Sequence, residues 1–344
     1  VWSYNDEARA QLREYRVVVN DFNNADGSDN PAARKLGNAR VSTSTRWPND
    51  TPTKVLVDET VTTTTLFDSL GRALNQTQLT KVWNGATLVN AQRNEIVFEN
   101  YNNRNDAATQ RITSYRIDAG SPDTLIDHKV FTNRNFDASH NVTNQMVLTY
   151  SAPTSTTPLD VQEIRSSYNA QGVATRQVII TYSDTAKTQQ VSVQEIVSSN
   201  FDGAGNARTR VITNYAGVTF VGNTTTEIAL NGLTGALTKQ TIETNQFDNR
   251  GNALHQTVLS EGFVSGAWTF SSMQDVTNSL IDIHDQAGES IVKNYSSATI
   301  SAANFTSLDR IVYTTRDRFG NAESQKVWSY NDEARAQLRE YRVV

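Results

Sequence analysis

The chain has 344 residues, 37% of them hydrophobic and 8% aromatic, and no cysteine, which excludes disulfides, thiolate metal sites and cysteine nucleophiles together. Its 31 Lys plus Arg against 36 Asp plus Glu give a net charge of -5 with both signs mixed and no basic block, which argues against a nucleic-acid partner. No apolar run approaches the roughly 18 residues of a membrane span, while Tyr, Phe and Trp among abundant Val, Ile and Thr predict β-rich structure with much polar surface.

The first 18 residues, VWSYNDEARAQLREYRVV, return residue for residue at positions 327 to 344. The expectation is one full period of a tandem array over residues 1–326, with residues 327–344 opening the next. Within that period a shorter motif recurs in chain order. Around Phe22 it is split by an insertion and resumes as LGNARVS from Leu36. It then reads FDSLGRALNQ from Phe67, YNNRNDAATQ from Tyr101, FDASHNVTNQ from Phe136 and YNAQGVATRQ from Tyr168. FDGAGNARTR follows from Phe201, FDNRGNALHQ from Phe247, HDQAGESIVK from His284 and RDRFGNAESQ from Arg316. These are about nine copies, one every 36 residues or so, a spacing typical of repeat architectures.

Each motif reads as a turn. The second residue, as in Asp68, Asp137, Asp202, Asp248, Asp285 and Asp317, bonds backbone two residues on. The fifth, as in Gly71, Gly172, Gly205, Gly251, Gly288 and Gly320, tolerates positive φ. The leading Phe67, Phe136, Tyr168, Phe201 and Phe247 are then the last buried anchors of incoming strands. An aromatic follows the first motif residue by 14 positions at Tyr115, Tyr150, Tyr182, Tyr215 and Tyr330, and Trp47 holds the same place after the insertion. Each opens a polar stretch, as in YSDTAKTQQ from Tyr182, so two turn types alternate. Between them the alternation of Val178, Ile180 and Tyr182 on one face, and of Met146, Leu148 and Tyr150, reads as strand. Tyr215 to Phe247 is the long exception, and helix content is expected to be minor.

Phe or Tyr, Asp or Asn, two variable residues, Gly, then Asn or Arg resembles the YD repeats of RHS proteins, whose core reads Tyr-Asp-x-x-Gly-Arg. Phe67 to Arg72 keeps the Asp, Gly and Arg together, whereas elsewhere Phe mostly replaces Tyr and Asn mostly replaces Arg. In that family the repeats are β-hairpins wound as a spiral ribbon that closes into a hollow shell, in toxin-encapsulating proteins and in teneurins. The resemblance implies a wound β-ribbon here too, and the identical long period favours an open tube over a capped shell.

No metal or catalytic motif emerges. His128, His140, His255 and His284 are scattered, and there is no HExxH, Walker A loop or G-x-S-x-G elbow. Carboxylates that recur at every turn are structural before they are catalytic. Asn24, Asp26, Ser28, Asp29 and Asn30 offer oxygen ligands to Ca²⁺, but without EF-hand spacing or a closing Glu they read as a solvated loop. Trp83, Trp268 and Tyr313 could line a sugar-binding surface, although strand-end aromatics more often pack a wall.

The expected fold is all-β, antiparallel hairpins in a continuous wound ribbon with about nine two-strand units per period. The expected function is that of a non-enzymatic structural protein without cofactor or metal, the repeat of a long extracellular or cell-surface filament or hollow β-tube of bacterial type. Its partners would be the preceding and following copies of the repeat and neighbouring filament chains. The alternatives are an RHS-type shell segment around a toxin or other cargo, and an adhesin stalk with glycan contacts.

Overall fold

The computed structural model describes residues 2–4, 12–48, 56–222 and 227–344. Among them the chain forms twenty β-strands and one short helix, so the all-β expectation holds. Two compact units divide the chain, Val1–Arg165 and Ser166–Val344.

The first unit carries β1 (Trp2–Tyr4), β2 (Leu12–Asp21), β3 (Val41–Trp47), β4 (Asp58–Phe67) and β5 (Ala73–Trp83). It continues with β6 (Leu88–Tyr101), β7 (Ala107–Arg116), β8 (Thr124–Phe136), β9 (Val142–Tyr150) and the first part of β10 (Asp160–Tyr168). Every strand pairs antiparallel with its successor. The helix, α1 (Pro31–Leu36), sits in the insertion after Phe22. Its local signals are plain: Asn30 accepts from the Ala33 N–H as N-cap, Pro31 opens the first turn, and Gly37 closes it at φ 75°.

In the second unit come β11 (Ala174–Tyr182), β12 (Gln190–Phe201), β13 (Ala207–Tyr215), β14 (Ala236–Phe247) and β15 (Ala253–Val264). β16 (Ala267–Ser279), β17 (Glu289–Tyr295), β18 (Phe305–Arg316), β19 (Ala322–Tyr330) and β20 (Leu338–Val343) complete it. Again each strand pairs antiparallel with the next. The meander follows from short polar turns between strands rich in branched residues, because a hairpin is the shortest route to satisfying an edge.

The best-buried core lies in the second unit, where cross-strand register aligns Ile180 with Val193, Val193 with Tyr215 and Tyr215 with Ala236. These residues and Val178 form one cluster, in which Val178 and Ile180 are fully buried. The long segment after Tyr215 covers this ladder with Val218, Phe220, Ile228 and Leu230. The Gln190 amide ties the segment down, donating to the Val218 carbonyl at 3.2 Å and accepting from its N–H at 2.8 Å. The length of this exception thus supplies a cover for the sheet face. In the first unit Met146 and its opposite-face neighbour Val147 are both buried. Most other strand positions are half-exposed, as along β15.

Candidate functional site

The recurrent chemistry of the chain is concentrated in its turns. In eight of them the Asp or Asn side chain at the second motif position accepts from the N–H groups of the fourth and sixth residues at 2.8 to 3.0 Å. The acceptors are Asp68, Asn102, Asp137, Asn169, Asp202, Asp248, Asp282 and Asp317. The fifth residue always has positive φ, whether Gly71, Gly172, Gly205, Gly251 and Gly320 or Asn105, His140 and Asp285. Asn, Asp and His are the non-glycine residues that enter this region most readily.

The sixth residue explains the Arg-or-Asn alternation. Arg72 Nε donates to the second carboxylate oxygen of Asp68 at 2.6 Å. Asn141, Asn206, Asn252 and Asn321 donate to the matching oxygen of their own Asp at 2.9 to 3.1 Å. In the Tyr101 turn donor and acceptor are exchanged, with Asn102 donating to Asp106. Arg and Asn are therefore interchangeable in this contact. Among these carboxylates, the Asn141 and Asn321 side chains, with backbone N–H groups, hold Asp137 and Asp317 below the ordinary carboxylate range. Burial pushes Asp68 up, but the Arg72 backbone and side chain outweigh it and its pKa is also lowered.

Successive turns on this edge also touch. A Cβ on Gly71 would lie 2.7 Å from the Asn38 amide, one on Gly251 2.7 Å from Asn206 Oδ1, and one on Gly320 2.5 Å from Gln286. Where the fifth residue has a side chain, it bonds the sixth residue of the preceding turn. His140 Nδ1 meets Asp106 at 2.6 Å, and Asn252 donates to Asp285 at 2.8 Å. The glycines are thus explained by φ and by the neighbouring turn together.

One expected turn is corrected. The motif near His284 begins at Ile281, so Asp282 is the acceptor and Asp285 is the positive-φ residue. Gly288 lies beyond the turn, where its N–H bonds the Ser279 and Leu280 carbonyls and a Cβ would sit 3.0 Å from Leu280 Cβ. The signal overlooked was alanine at the seventh position. Ala39, Ala73, Ala107, Ala174, Ala207, Ala253, Ala287 and Ala322 share it, with Val142 in the remaining turn. In register this residue faces the first, as Phe67 faces Ala73 and Phe201 faces Ala207. The leading aromatics Phe67, Phe136, Tyr168, Phe201 and Phe247 are half-buried rather than buried, since a residue at the sheet margin is covered on fewer sides.

On the other edge, Tyr115, Tyr182, Tyr215 and Tyr330 each sit at a β-bulge just before the turn. Tyr150 and Trp47 end their strands without one. The corrected register adds Tyr295, 14 residues after Ile281, also bulged and buried. Where the fourteenth position is Lys81 or Glu261 the bulge persists, and an ion pair to Glu59 at 2.8 Å or Lys239 at 2.7 Å stands in for the ring. Tyr215 donates to Glu195 at 3.1 Å, and burial together with that carboxylate pushes its pKa up to about 12.

The remaining candidates are occupied structurally. His128 bonds Thr113 at 2.9 Å and His255 bonds Asp275 at 2.6 Å. Among the described residues no group of three or more His, Asp and Glu is placed to hold a metal ion. In the insertion, Asn24, Ser28, Asp26 and Asn30 bond one another, and Asp29 pairs with Arg34 at 3.0 Å. Trp268 stacks on Phe263 at 4.9 Å, and Tyr313 lies under Arg316 at 4.3 Å. Among the described residues no helix is long and apolar enough to cross a membrane. The chain matches no known protein family, and no curated protein matches it.

Proposed function

We propose that this is a structural protein whose period repeats in tandem to build a long extracellular filament or hollow β-tube, with copies of the same repeat as its partners. One observation carries the reading: the duplicated segments adopt the same hairpin. In the first copy Trp2 pairs with Tyr15, Ser3 with Glu14 and, past a bulge, Tyr4 with Leu12. In the second Trp328 pairs with Tyr341, Ser329 with Glu340 and, past the same bulge, Tyr330 with Leu338. The first hairpin continues into β3, and the second is entered from β18. One period therefore hands on to the next without a change of register, which is what an open-ended ribbon requires.

The likeness of the turns to YD repeats supports winding of the ribbon, and the mechanical role follows from ladder hydrogen bonding and covalent continuity. Electron microscopy of the native, unproteolysed material tests the reading. Uniform filaments with an axial repeat are expected. Discrete closed particles would replace it with an RHS-type shell around cargo.

A further inference from the structure

Because residues 1–18 and 327–344 are identical and form the same hairpin, they are competing occupants of one place, the edge of β3. In this chain β2 fills it, with Tyr15 opposite Trp47, Arg16 opposite Arg46, Val17 opposite Thr45 and Val18 opposite Ser44. The corresponding edge of β20 has no strand on it: β19 is its one partner among the described pairings, and its residues are exposed throughout. Tyr341 is 48% exposed, whereas its counterpart Tyr15 is half-buried against Trp47 at 5.4 Å between ring centroids.

We propose that β20 is a donor strand for a second copy of this chain, replacing that copy's β2 on β3 in the register of Tyr341 with Trp47. The exchange lengthens an aromatic stack that is already half built. Arg310 lies over Trp328 at 5.0 Å, and Trp328 stacks on Tyr341 at 5.1 Å. Trp47 of the acceptor would cover the open face of Tyr341. The incoming hairpin arrives backed by β18, whereas β1 has only β2 beside it among the described pairings. The new contacts are otherwise those of the hairpin displaced, so exchange is close to balanced and concentration decides it, as in domain swapping. The joint is head-to-tail, and it extends from copy to copy.

This rests on the structural reading but is tested separately. Arg16→Pro/Val17→Pro removes β2 donors from the first hairpin alone and frees the β3 edge. Sedimentation velocity is expected to show a concentration-dependent series of multiples of one chain, which adding Arg342→Pro/Val343→Pro returns to monomer. Monomers throughout, or equal association in the fourfold variant, would overturn the proposal. In the otherwise unaltered, cysteine-free chain, Trp47→Cys/Tyr341→Cys treated with a bismaleimide should give a chain-to-chain ladder on denaturing gels. This measurement decides if the proline variants lose their β-sheet circular dichroism, and exclusively single-chain products would refute the exchange. Filamentous native material with no such ladder would sink the donor strand alone, and closed native particles with a ladder would sink the filament alone.

Discussion

The turn motif is a division of labour among three residues. The second caps the turn through two backbone N–H groups, the fifth supplies positive φ, and the sixth ties the cap down while reaching toward the next turn. Gly205, at φ 86°, tests the second of these roles. Gly205→Val should destabilise its hairpin by about 1–3 kcal/mol, read as faster amide exchange in β12 and β13. Gly172→Asn, at φ 73°, should cost less than about 1 kcal/mol, because Asn105 already occupies the same place at φ 65°. Protonation tests the first role. The native pKa values of Asp137 and Asp317 lie below their unfolded values, so their stabilisation is complete above the ordinary carboxylate pKa of about 4 and is lost as pH falls through the native values. The thermal midpoint should be level above about pH 5 and fall below about pH 4. Asp137→Asn/Asp317→Asn should flatten that acid limb. The turn capped by Asn169 has no proton to gain in that range, and its amide protection, corrected for intrinsic rates, should not follow the acid limb.

At the scale of elements, the hairpins differ in what covers them. Strands β11 to β14 bury their ladder because the long segment after Tyr215 folds over it, held by the paired amide contacts of Gln190. Gln190→Ala removes both contacts and leaves the strand register untouched. Limited proteolysis should then cut between Ala216 and Gly235, while the β-sheet circular dichroism stays unchanged. Cleavage no faster than in the parent chain would show that Val218, Phe220, Ile228 and Leu230 hold the cover without help.

For the whole molecule, stability is close to a sum of local terms, because each strand's listed partners are its neighbours in sequence. Tyr215 is 2% exposed at the centre of the second unit's core, and Tyr215→Ala should cost about 3–5 kcal/mol. That loss should appear as reduced amide protection within Ser166–Val344, with protection in Val1–Arg165 retained. Equal loss in both units would mean that the chain unfolds as one cooperative body.

The sequence by itself determined the all-β class, the two alternating turn types, the residues at φ-positive sites and the duplicated hairpin. Each depends on a chain segment short enough for local chemistry to dictate: a side chain capping its own turn, a glycine at positive φ, an aromatic 14 residues downstream. Tertiary structure alone decided which residues lie beside which across neighbouring hairpins. Asn38 faces Gly71 and His140 reaches Asp106 through sheet register, which is set by bulges and not by spacing along the chain. The Ile281 turn shows the boundary between the two. Gly288 matched the local pattern, yet the ladder of β16 with β17 placed the turn three residues earlier, because the strand pairing outweighs a single favourable glycine.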